Sequence, residues 1–119
     1  MSDDVVERVR AICLALPEST EKLSHGAPAF FAGKQFVQLS AAGHHDNHFP
    51  HLWAAAAHGV QDELIASAPN RFFRPPYVGH RGWVGMRLDG DVDWTEVAEI
   101  CTDAFRAVAP KRLLALLAR

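Results

Sequence analysis

The feature that most constrains this chain is where its apolar periodicity changes. Apolar residues recur at helical spacing near both ends, aromatic and β-branched runs fill the middle, and the two kinds of segment do not alternate regularly. A parallel, doubly wound sheet needs that alternation. The order helix, strands, helix, strands, helix therefore predicts an α+β fold, an antiparallel sheet with its helices packed on one face. A length of 119 residues has room for one core, so residues 1–119 are read as a single domain.

The first helix is predicted from a cap at Asp3 or Asp4, with Val5, Val6, Val9, Ile12, Cys13 and Leu16 on one side, until Pro17 stops it. Ala29-Phe30-Phe31 and Phe36-Val37-Gln38-Leu39 flank Ala32-Gly33-Lys34 and read as a β-hairpin turning at the glycine. Residues 43–51 are too polar for an element interior and lead to a strand near Leu52-Trp53-Ala54. Val60, Leu64, Ile65 and Ala68 fit a short helix that Pro69-Asn70 ends. Phe72-Phe73 and the run from Trp83 to Leu88 read as two more strands. Asp93 and Glu96 form a capping-box-like pair at the start of a long helix lined by Val97, Ile100, Cys101, Ala104, Phe105 and Val108. Pro110 then opens a short terminal helix carrying Leu113, Leu114, Leu116 and Leu117.

The net charge of −2 argues against indiscriminate nucleic-acid binding, but the charge is unevenly spread. Both ends are acidic. Residues 22–88 carry Lys22, Lys34, Arg71, Arg74, Arg81 and Arg87 against Asp46, Asp62 and Glu63, and Leu64 to Leu88 contains no acid. No apolar run approaches the ~20 residues of a membrane span, and Asp3 and Asp4 stand where a secretory signal would be basic, so no membrane partner and a cytoplasmic location are expected. Cys13 and Cys101 sit on apolar helix faces, outside any C-x-x-C pair, and read as buried reduced thiols.

His44, His45, His48, His51 and His58, with Asp46 nearby, raise metal binding, but their spacing matches no ligand motif, so no metal site is assigned. Gly33-Lys34 lacks the upstream glycine and following hydroxyl of a phosphate loop, and Gly79, Gly82 and Gly85 do not match the dinucleotide fingerprint, so no cofactor is expected. Ser24-His25 has no marked third partner or oxyanion site. With no catalytic residues recognised, binding is expected rather than catalysis. The most suggestive stretch is Arg71-Phe72-Phe73-Arg74-Pro75-Pro76-Tyr77 with His80-Arg81-Gly82-Trp83. Its cations suit phosphates and its rings suit unpaired bases, whereas the bland reading makes Phe72, Phe73 and Trp83 core and the arginines a solvated strand face.

Several of these segments, in order, resemble the MmcQ/YjbR family of small bacterial proteins. They are Leu16-Pro17-Glu18, His25-Gly26-Ala27-Pro28-Ala29-Phe30, Gly33-Lys34-Gln35-Phe36, Gly82-Trp83-Val84, Leu88-Asp89, Asp93-Trp94 and Val108-Ala109-Pro110-Lys111. The resemblance implies a CyaY-like fold and DNA binding through a "double wing". Carried onto this chain, it implies that Lys34, Arg71, Arg74, Arg81 and Lys111 contact phosphate, with Tyr77 or Trp83 available to stack. The net negative charge and the histidine-rich segment depart from the pattern. Two readings follow: a weak, salt-dependent DNA-binding module, or a small-molecule or protein-binding module with His25, Lys34, Tyr77 and Trp83 lining a cleft between sheet and loops.

Overall fold

A computed structural model describes residues 2–43 and 48–117. The elements are helix α1 (Ser2–Leu14), strands β1 (Thr20–Ser24), β2 (Ala27–Ala32), β3 (Lys34–Ser40) and β4 (His51–Ala54), helix α2 (Val60–Ser67), strand β5 (Phe72–Phe73), a 3-10 turn (Gly79–Arg81), strand β6 (Val84–Arg87), and helices α3 (Trp94–Val108) and α4 (Lys111–Leu117). The six strands form one open antiparallel sheet in the order β1-β2-β3-β4-β6-β5. This is the α+β architecture that the periodicity predicts. Among the described residues no helix is long and apolar enough to cross a membrane.

Sequence reasoning missed β1. Its residues are mostly exposed, because it is an edge strand with little to bury, so the apolar alternation that marks a strand is absent. The signal that was available lies in the turn. His25 and Gly26 both have positive φ, 52° and 79°, and join directly paired Ser24 and Ala27, the two-residue hairpin geometry that matches strand twist.

Directly opposed residues share a face of a sheet, so the register sorts the side chains. Val37, Leu39, Leu52, Ala54, Val84, Met86 and Phe72 form one face and are all buried. Helix α3 covers it with Val97, Cys101, Ala104 and Phe105, and α1 packs on α3 through Val9 and Cys13. Helix α2 shares this face, since Val60 and Leu64 line a shallow groove with Ile100 of α3 and Val84 of β6.

The opposite face carries Gln38, Ser40, His51, Trp53, Gly85, Arg87 and Phe73. Between β2 and β3 the register slips, so that Phe30 pairs with Val37 but Phe31 with Gln35. Phe36 is the extra residue of a β-bulge. Its ring meets Phe105 edge-on at 5.7 Å on the helical side, while Gln35 and Gln38 come together on the other. At the far end of that face, Phe73 lies flat on β6, and a Cβ on Gly85 would come within 2.4 Å of its ring. Only glycine permits that approach. Phe49 and Phe73 pack around His51, which is fully buried and donates from Nδ1 to the Phe49 carbonyl at 2.7 Å.

Several local expectations change. Helix α1 already includes Ser2, so Asp3 and Asp4 fall inside its first turn rather than capping it, and it ends at Leu14, where Leu16 N–H turns back to the Cys13 carbonyl. Asp93 does cap α3, accepting from the Thr95 and Glu96 amides, but Glu96 spends its carboxylate on Arg71 instead of closing the box. Trp83 precedes β6 rather than opening it. Both cysteines are buried and free, and hydrogen bonding to Cys101, with burial second, pushes the Cys13 thiol pKa upward. Of the histidine-rich segment, His44, His45 and Asp46 lie outside the described residues, and among the described ones no three His, Cys, Asp or Glu side chains gather as metal ligands would.

Candidate ligand cavity

The sheet face that carries Gln38, Ser40 and Trp53 is not flat. The segment 74–83 leaves β5, passes Pro75 and Pro76, and folds back toward the sheet before β6 begins. Buried Gln61 of α2 holds it there. Its Nε2 donates to the carbonyls of Gly79, at 2.9 Å, and of Trp83, while its Oε1 accepts from Arg74 at 3.3 Å. One side chain thus clips both ends of the 3-10 turn.

Between this clipped segment, the β1–β2 turn and the surface of β3 and β4 lies a cavity of about 640 Å³. Its floor is Gln35, Gln38, Ser40 and Trp53, and its far wall is Tyr77, Val78, Arg81 and Trp83. His25 and Ser24 stand at the β1–β2 turn and Lys34 at the β2–β3 turn. No Asp or Glu is among the lining residues, so Lys34 and Arg81 face it without a carboxylate. The Arg81 guanidinium sits 5.4 Å from the centre of the Trp83 ring, which supports it while leaving its donors available. Tyr77 is 68% exposed at the rim, its ring 6.5 Å from that of Trp53. It has a φ of 65°, a conformation rare for a bulky side chain.

The candidate residues divide clearly. Lys34, Tyr77, Arg81, Trp83 and His25 all line this one cavity. Lys111 does not line it but stands exposed at the corner where the β2–β3 turn meets α4, Gly33 lying against Pro110. Arg71 is engaged elsewhere, paired with Glu96 at 2.9 Å, and Arg74 braces Gln61. Arg87 is likewise committed: it holds Asp89 through two hydrogen bonds of 3.0 and 2.7 Å, which keep the Asp89 carboxyl below its ordinary pKa. Sequence reasoning missed Gln35, Gln38, Ser40 and Trp53. The available signal was Gln38, a polar residue inside an apolar strand run, buried at 8% exposure.

An antiparallel sheet backed by helices, with a cation-lined and aromatic-lined cavity against β3 and β4, defines a small α+β protein. The chain belongs to the YjbR family, whose model matches residues 14–107. Its fold is similar to that in the crystal structure of the Deinococcus radiodurans protein DR2400, which carries a DUF419 domain, with a TM-score of 0.72 at 20% identity over 90% of this chain and 80% of that one. No curated protein matches the chain.

Proposed function

We propose that this domain binds a small organic anion with an aromatic ring in the cavity beneath the 74–83 segment. The observation that carries this reading is that Lys34 and Arg81 face one carboxylate-free space together with the rings of Trp53, Tyr77 and Trp83. Its volume of about 640 Å³ is typical of sites that enclose small molecules. Cations in a partly enclosed, low-dielectric space attract an anion more strongly than the same cations on open surface. The rings supply apolar area, and stacking adds further attraction. Phenyl phosphate, the simplest such anion, should raise the melting temperature in a saturable way. Lys34→Ala and Arg81→Ala should each weaken the effect, and a wild-type protein indifferent to phenyl phosphate would remove the proposal.

A second reading keeps a nucleic-acid surface. It is favoured by the approach of Gly33 to Pro110, which sets exposed Lys111 at the corner where the β2–β3 turn meets α4, outside the cavity. With Lys34, Arg74, Arg81 and Lys111 each neutralising one phosphate, the logarithm of duplex affinity should fall with the logarithm of salt at a slope of about −3 to −4. Arg71 contributes little to that slope, because binding phosphate would cost it Glu96. A duplex that fails to bind even at low salt would eliminate this reading and leave the cavity untouched.

A further inference from the structure

We infer, resting on the cavity reading above, that the aromatic anion is a nucleoside monophosphate, held at its base edge by Gln35. The observation is an amide relay across the cavity floor. The Ser24 backbone carbonyl can only accept, so the atom facing it at 3.1 Å must be the nitrogen of Gln38. Gln38 Oε1 is therefore turned the other way, where it accepts from Gln35 Nε2 at 2.8 Å. Each amide is oriented by its partner's chemistry, so neither can flip without losing its bond.

The relay ends on Gln35, which keeps its Oε1 and its second N–H. Among the described residues no group engages that Oε1. A primary amide held in one orientation, offering an acceptor and a donor in one plane, is the group that reads the adjacent N6–H donor and N7 acceptor of adenine. A plain aromatic acid has no such edge and would leave the relay unused.

Charge and size agree. A phosphomonoester carries close to two negative charges at neutral pH, because its second pKa is about 6, and Lys34 with Arg81 supplies two positive ones. A cavity of about 640 Å³ lies in the range of sites that enclose molecules of nucleotide size. Trp53, next to Gln38 on the floor, offers the face for the base to stack on.

Calorimetric titration with adenosine 5′-monophosphate, purine riboside 5′-monophosphate, ribose 5-phosphate and phenyl phosphate tests this. Adenosine monophosphate should bind about tenfold tighter than each of the other three, the purine riboside losing its advantage with the missing amino donor. Gln35→Met, close to glutamine in length but without hydrogen-bonding atoms, should lower the ratio of adenosine monophosphate to phenyl phosphate affinity about tenfold, erasing the preference for the nucleotide. Phenyl phosphate binding as tightly as the nucleotide would overturn the nucleotide assignment while the cavity reading stands. No binding of any of the four would overturn both. The purine riboside comparison needs no variant, so the test survives if Gln35→Met does not fold. An oligodeoxyadenylate that displaces the mononucleotide would support the same chemistry and make a single-strand end its source; failure to displace it would make the free nucleotide the source.

Discussion

Replacing Gln61 with methionine should separate the clip from everything else the helix does. Methionine is close to glutamine in length and volume, so the packing of α2 changes little, but the two donated hydrogen bonds vanish, as does the long one accepted from Arg74, whose exposed guanidinium turns to water at little cost. Gly79 O keeps a second partner, the Gly82 amide at 3.0 Å, and loses only part of its satisfaction. Trp83 O loses the donor that reaches it from α2. A carbonyl left without its partner costs about 1–3 kcal/mol, and the second bond to Gly79 about 0.5–1 kcal/mol. Methionine returns roughly 1 kcal/mol through greater apolar burial. The net loss is about 2 kcal/mol, or roughly 8 °C in melting temperature for a domain of this size. Urea unfolding followed by circular dichroism and by tryptophan fluorescence would measure it, with an unchanged m-value showing that the native and unfolded states remain comparable. A loss under about 0.5 kcal/mol would refute the idea that Gln61 organises the cavity wall.

Other consequences are equally direct. Arg10 grips Glu21 through bonds of 2.7 and 2.9 Å that hold the Glu21 carboxyl below its ordinary pKa. A depressed carboxyl stabilises the fold above its unfolded pKa and loses that contribution as pH falls through the folded value, so Arg10→Gln should cost about 0.5–1 kcal/mol at pH 7 and almost nothing near pH 2 in urea titrations at both pH values. Gly85→Ala should destabilise by about 1–3 kcal/mol, because Phe73 must leave a place fixed by Phe49 and His51, and calorimetric melting would show it. Tyr77→Ala should weaken phenyl phosphate binding about fivefold or more in a fluorescence titration, the loss of one stacked ring.

How much was legible before the structure depended on whether the determining contacts were local. Helix α3 could be read, because its buried face repeats at helical spacing from Val97 to Phe105 and Asp93 marks its start. β1 was marked only by its His25-Gly26 turn, since an edge strand of Thr20, Glu21, Lys22, Leu23 and Ser24 has no pattern to bury. The bulge at Phe36 was equally hidden, yet it brings Gln35 beside Gln38 and so sets the cavity floor. Among the cations the sequence shows an acid-free stretch, but their partners come from other elements. Glu96 neutralises Arg71 from 25 residues away, so which positive charges stay available is a property of the packing. Lys34, Arg81, Tyr77, Trp83 and His25 were visible as residue types, but Trp53 entered the site only through its register opposite Gln38.

The three tryptophans allow the central claim, an anion seated over β3 and β4, to be tested at once. Trp53 and Trp83 line the cavity, while Trp94 lies at the start of α3 beneath the guanidinium of Arg8, 4.5 Å from its ring. In a nitrogen–proton correlation spectrum of the labelled protein titrated with phenyl phosphate, the indole signals of Trp53 and Trp83 and the side-chain amides of Gln35 and Gln38 should move together along one saturation curve, with Trp94 still. Indole signals that stay fixed at saturating ligand, or a Trp94 signal that moves as far as the other two, would contradict it.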